Sequence, residues 1–199
     1  MINGRTNGRS LESPEFDPIL STAEELRVPI YLHPAMPSRA VQAEYYEGFG
    51  SIVSTRLASA ALGWHFETGV HALSMVLGGV FDRHPELQII LGHWGELLPA
   101  YFERIDQVLG PYVEHLERPV ADYLASHFYV TPSGMYSLPN LQLALATLGS
   151  DRIMFAVDYP YISAAGARDF LEAAPISQAD RAKIAHGNAE RLLKLRSRS

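Results

Sequence analysis

Cysteine is missing from all 199 residues. With it go disulfide frameworks, thiolate zinc sites and cysteine nucleophiles, so any metal held by this chain must use His, Asp or Glu. Positive charge is scarce too: 16 Lys and Arg stand against 22 Asp and Glu, a formal net charge of −6. No basic stripe runs through the sequence, which argues against a nucleic-acid partner. Long apolar runs are lacking, so nothing reads as a membrane span, and the polar N-terminus has no signal-peptide core; a cytoplasmic location is expected. A glycine-rich phosphate loop of the G-x-G-x-x-G or G-K-[ST] kind is also missing, which lowers the nucleotide and dinucleotide readings.

What is present is an ordinary globular composition, 47% hydrophobic and 19% charged. The length suits one domain, 1–199, with a substantial core. The chain is organised around residues 88–106. Ile89, Ile90 and Leu91 read as a buried strand; Gly92 breaks it, His93 follows, and a helix is expected to restart at once. The same grammar recurs. Val28-Pro29-Ile30-Tyr31-Leu32 leads to His33-Pro34, Phe128-Tyr129-Val130 to Thr131-Pro132-Ser133, and Ile153-Met154-Phe155-Ala156-Val157 to Asp158-Tyr159-Pro160. Continuous apolar character suits strands buried on both faces of a parallel sheet. Helical periodicity marks 16–26, 68–82, 97–109, 139–148, 164–174 and 177–195. The long connection 35–64, with Tyr45, Tyr46, Phe49 and Trp64, reads as a lid or as short helices of its own. Alternating strands and helices imply βαβ units, and polar residues at every strand end favour a (β/α) barrel over an open sheet.

Those strand ends carry the candidate chemistry. His33 and Asp158 are candidate metal ligands, since imidazole nitrogen and carboxylate oxygen suit Zn²⁺ or Mn²⁺; the plainer alternatives are a strand cap and an Asx turn. His93 is a third ligand or a general acid/base. Glu96, three residues on, can reach back to orient His93, or is simply an acid at a helix start. Arg104 can grip a substrate carboxylate bidentately; in its Glu103-Arg104-Ile105-Asp106 context it equally suits a surface or subunit ion pair. His65, His71, His84, His115, His127 and His186 are weaker candidates. Of these, His84 and His127 read as structural, and His71 as a supporting or interface residue.

Taken in order, these motifs resemble the metal-dependent amidohydrolase superfamily, in its branch of non-oxidative aromatic-acid decarboxylases acting on γ-resorcylate, 2,3-dihydroxybenzoate or 5-carboxyvanillate. The matching strings include Val28-Pro29-Ile30-Tyr31-Leu32-His33-Pro34, Glu67-Thr68-Gly69-Val70-His71, Ile90-Leu91-Gly92-His93-Trp94-Gly95-Glu96, Tyr129-Val130-Thr131-Pro132-Ser133-Gly134 and Phe155-Ala156-Val157-Asp158-Tyr159-Pro160. The resemblance implies an α/β, TIM-barrel (β/α)8-type fold and a divalent metal, Zn or Mn, on His33 and Asp158. His93 then stands beside the metal, with Glu96 orienting it. It further implies that a small hydroxylated aromatic acid is protonated at its carboxylated carbon, with His93 and Asp158 handling the proton, and loses CO₂. Family members open with a strand bearing Glu-x-His or His-x-His, which supplies two further ligands, and neither pattern occurs here. The expectation is therefore a barrel incomplete at its N-terminus, about the last four to five βα units. Two other readings stand beside the lyase: a hydrolase of the same superfamily acting on a lactone or amide, and an inactive fragment serving as an assembly module. A homo-oligomer, dimer or tetramer, is expected.

Overall fold

Four parallel strands in sequential order frame the molecule: β1 (Ile2–Asn3), β2 (Ile30–His33), β3 (Ile89–Leu91) and β4 (Phe128–Val130). The computed structural model describes residues 1–195, and the last four positions of the expected domain, 196–199, lie outside them. Ile30 pairs with Ile89 and Ile89 with Phe128, so the three main strands run in step and end at one level. Helices connect them, as parallel pairing requires. The α/β barrel expectation holds, as a four-stranded arc of the parallel sheet.

The two faces of the arc differ. Ile30, Leu32, Ile89, Leu91 and Phe128 pack with Leu20, Met75, Val76, Phe81, Tyr123 and Leu124 from the helices, forming the main core. The alternate residues Ile90 and Tyr129 join Met154 in a smaller cluster, flanked by Tyr31, Ala189 and Leu192. Side chains alternate across a strand, so His33 shares the inner face with Tyr31, and Thr131 shares it with Tyr129.

Four expectations need correction. Residues 153–157 do not form a strand. Ile153 makes a single parallel bridge with Val130, and the Met154 amide donates to the Val130 carbonyl at 2.9 Å. The next amide, of Phe155, donates instead to the Ile184 carbonyl at 2.9 Å, which draws the chain off the sheet. The helix expected at 68–82 starts earlier and divides, into Gly63–Leu77 and Val80–Arg83. It breaks at Gly79, which is left-handed (φ 65°). The 97–109 helix opens with a 3₁₀ turn, Leu98–Tyr101, before Phe102–Leu109. Most important, no right-handed helix restarts at His93. His93, Trp94, Gly95, Glu96 and Leu97 all have positive φ, from 46° to 86°.

The connection 35–64 contains short helices, among them Arg39–Val41 and Ser51–Arg56. A helix not foreseen, Val120–His127, runs directly into β4. Among the described residues no helix is long and apolar enough to cross a membrane.

Candidate active site

The left-handed turn after β3 is the most constrained piece of backbone at the sheet's carboxyl end. Each non-glycine residue there costs about 1–2 kcal/mol over a right-handed one, so surrounding contacts must hold it. The Trp94 amide donates to the Thr131 carbonyl at 2.8 Å, and the Gly95 amide to the Gly92 carbonyl at 2.8 Å. The Trp94 indole donates to the Met135 carbonyl at 2.7 Å. A Cβ on Gly95 would stand 2.9 Å from Pro99 and 3.0 Å from Val130, so only glycine fits there.

The turn presents His93 and folds Glu96 inward. Glu96 is buried, at 1% exposure. One carboxylate oxygen accepts from His93 Nδ1 at 2.8 Å and the other from His65 Nδ1 at 2.6 Å. A carboxylate only accepts, so both imidazoles carry their hydrogen on Nδ1. His93 Nε2 is then the nitrogen left to bind or exchange a proton. Burial alone would lower the His65 pKa; the hydrogen bond and charge of Glu96, with the Ala60 carbonyl, outweigh it and raise the pKa.

His33 ends β2, and its Nδ1 donates to the Pro34 carbonyl at 2.8 Å. A carbonyl cannot donate, so His33 Nε2 also keeps its lone pair, the arrangement usual for a metal-binding histidine. Leu32 pairs with Leu91, which sets His33 level with Gly92, one residue before His93 on the neighbouring strand. Asp158 lies beyond the Ile153 bridge at the same end, half-buried and left-handed (φ 60°). Its backbone carbonyl accepts from the Tyr161 and Ile162 amides, and among the described residues no side chain hydrogen-bonds its carboxylate. Three hydroxyls meet across the neighbouring strand ends: Ser133 Oγ lies 3.1 Å from Tyr31 Oη and 2.8 Å from Thr131 Oγ1. Gly92 lets these groups close in, because a Cβ there would stand 2.9 Å from Tyr31 Oη and 3.4 Å from Glu96 Oε1.

By donor chemistry His33, whose Nδ1 is tied down and whose Nε2 is open, and Asp158, whose carboxylate has no side-chain partner among the described residues, suit a divalent ion; the three groups whose ligand atoms lie within 4.8 Å of one another are instead His65, His93 and Glu96. Arg104 stands elsewhere, exposed on the Phe102–Leu109 helix, with its guanidinium 3.3 Å from Gln107 Oε1. His127 is structural, donating from Nδ1 to the Leu87 carbonyl and accepting from Arg118. So is His84, clamped between Asp17 and Glu24.

His65 is the residue that sequence reasoning undervalued. Gly69 was the available signal, a mid-helix glycine that marks close approach of another backbone. A Cβ on Gly69 would stand 2.6 Å from the Glu96 carbonyl oxygen. His65 is one turn earlier on the same helix face, so the approach that needs Gly69 also brings His65 onto the carboxylate.

A parallel α/β sheet whose strands end in His and other polar groups at the carboxyl edge has the architecture of the metal-dependent barrel hydrolases and lyases. The sequence model of the family described as Amidohydrolase matches residues 2–195, and the chain belongs to that family. It is 38% identical over 198 residues to the γ-resorcylate decarboxylase of Rhodococcus jostii, covering 98% of this chain and 58% of that protein. Among solved structures, a putative amidohydrolase from Staphylococcus aureus superimposes with a TM-score of 0.94 at 40% identity, covering 98% of this chain and 63% of that one. A dihydroxybenzoic acid decarboxylase from Polaromonas, solved with manganese and the inhibitor 2-nitroresorcinol, gives 0.86 at 37% identity, covering 96% and 56%. The chain thus spans less than two thirds of the length of each of these relatives.

Proposed function

We propose that this chain carries the metal-binding and proton-handling strand ends of a non-oxidative decarboxylase for a small hydroxylated aromatic acid of the 2,6-dihydroxybenzoate type. The observation that carries this reading is the match, along nearly the whole chain, to proteins named as such decarboxylases. His33 Nε2 and the Asp158 carboxylate are the proposed ligands of a divalent ion, with Mn²⁺ the first choice and Zn²⁺ the alternative. When bound, the ion supplies positive charge that orients an acid and stabilises its phenolate oxygen.

The chain's own groups then do the following. His93, once protonated at Nε2, donates that proton to the ring carbon bearing the carboxylate. The carbon–carbon bond to the carboxylate breaks, CO₂ leaves, and the bond's electrons restore the aromatic ring. Glu96 keeps His93 Nδ1 protonated and stabilises the imidazolium before transfer. Asp158 is the second candidate for moving this proton. The hydroxyls of Tyr31, Thr131 and Ser133 are placed to receive ring oxygens. Arg104, expected as the cation for a substrate carboxylate, stands exposed away from these strand ends with its guanidinium 3.3 Å from Gln107 Oε1, which favours the alternative of a surface or subunit ion pair. It lies between Tyr101 and Ile105, which line an apolar groove with Phe66, Val70 and Leu98. We read that groove as supporting a homo-oligomer, dimer or tetramer, in the cytoplasm.

The test is CO₂ release from 2,6-dihydroxybenzoate with added Mn²⁺. Release with formation of resorcinol, lost in Asp158→Asn, is expected. Hydrolysis of an aryl lactone with no CO₂ from any dihydroxybenzoate would overturn the reading.

A further inference from the structure

We infer that His65 is a positioning residue: it occupies the second oxygen of Glu96 and so fixes, through that carboxylate, the tautomer and orientation of His93. This rests on the role proposed above for His93, and it begins from the distances. His65, His93 and Glu96 each offer a ligand atom within 4.8 Å of one another, so a metal ion is the first rival. Two ligands of a tetrahedral zinc, with bonds of about 2.0–2.1 Å, stand about 3.3 Å apart. The two Nδ1–O separations are 2.6 and 2.8 Å, and those are hydrogen-bond lengths. Protons, not an ion, join the three groups.

A carboxylate has two oxygens, and here each takes one imidazole N–H. His93 alone would leave the second oxygen buried without a partner, a costly arrangement that rotation about the Glu96 side chain relieves only by breaking the first bond. His65 removes that choice. It is itself held: its Nε2 lies 3.1 Å from the Ala60 carbonyl oxygen and 3.2 Å from Trp64 Nε1, and the Trp64 ring stands edge-on to it, with 6.1 Å between centroids. The His65 and His93 rings also touch, with centroids 4.5 Å apart. Within the turn His93 takes only one carboxylate oxygen, so the brace for the other comes from the Gly63–Leu77 helix, across the Gly69 contact.

The test uses the full chain with ¹⁵N-labelled histidine and the variants His65→Phe, which removes the donor, and His65→Gln, which keeps an N–H donor. Long-range ¹H–¹⁵N spectra at about pH 8, above the ordinary imidazole range, report which ring nitrogen of His93 carries the hydrogen. In the wild type and in His65→Gln we expect a single Nδ1–H tautomer, and in His65→Phe a mixture. Where the chain decarboxylates, kcat should fall about 10–100-fold in His65→Phe, with KM nearly unchanged and most of the rate restored in His65→Gln. A single Nδ1–H tautomer retained in folded His65→Phe would overturn the inference. So would a mixture in His65→Gln, which decides the matter even if His65→Phe fails to fold. If the wild type releases no CO₂, the proposed reaction fails, while the tautomer result still stands or falls by itself.

Discussion

The His93 turn and the Asp158 turn both follow the sheet, both adopt left-handed backbone and both present a polar side chain at its carboxyl edge. They are held in opposite ways. Around His93, Glu96 is buried and saturated by two imidazoles, and Trp94 is tied by its amide and its indole. Around Asp158, the backbone carbonyl takes two amides while the carboxylate is half-buried with no side-chain partner among the described residues. One turn is closed by the protein's own groups; the other leaves a carboxylate without a side-chain partner among the described residues, as the proposed ligand role requires. A base that must point one way needs the first arrangement, and a ligand that must accept an ion suits the second.

Breaking the closed turn should cost most. Glu96→Ala leaves a buried and a half-buried imidazole donor facing a void, and should destabilise by about 3–5 kcal/mol, read as a lower denaturant midpoint. Acid is the next lever, acting on a neighbouring helix position. His71 is 1% exposed, and burial, with a smaller contribution from Arg5, lowers its pKa from 6.5 to about 4. Its Nε2 accepts from the Leu11 amide at 2.8 Å, a bond only the unprotonated nitrogen can make. The unfolded chain therefore binds more protons between those values. Stability is lost as pH falls from about 6.5 and levels off below about 4, for a total of about 3 kcal/mol. Unfolding curves at pH 7 and pH 4 measure it, and His71→Gln should show the shallower dependence.

Gly69→Ala sharpens the comparison at smaller cost. Alanine favours a helix, but its Cβ would meet the Glu96 carbonyl at 2.6 Å. The net effect should be a loss of about 1–3 kcal/mol, with His65 and His93 ring signals displaced together. The smallest stability change should come from Asp158→Asn, within about 0.5 kcal/mol, even though it removes a proposed metal ligand. An unfolding midpoint far from wild type there would mean that the Asp158 turn is structural like its counterpart.

How far the sequence could be read follows the same division. The strand ends were legible, because β2, β3 and β4 are short apolar runs that stop at His33, Gly92 and Thr131, and parallel pairing brings such ends to one level. The local chemistry of His93 with Glu96 three residues on was legible too, although a left-handed turn delivers it instead of the expected helix. Trp94, Glu96 and Leu97 have no intrinsic preference for positive φ, and long-range bonds to Thr131 and Met135 impose it. The Ile153 strand misled for a related reason: its composition suits a strand, but the Ile184 carbonyl captures Phe155. His65 was hidden because its partner is 31 residues away and its role depends on a helix–turn approach visible in sequence only as Gly69.

The central claim is that His33 and Asp158 together hold a divalent ion at the edge of this sheet. Titration of the purified chain with Mn²⁺, followed by electron paramagnetic resonance, tests it most directly. A single tightly bound ion per chain is expected, lost in the folded His33→Ala/Asp158→Asn double variant; equal binding by that variant, or none by the wild type, would refute this site.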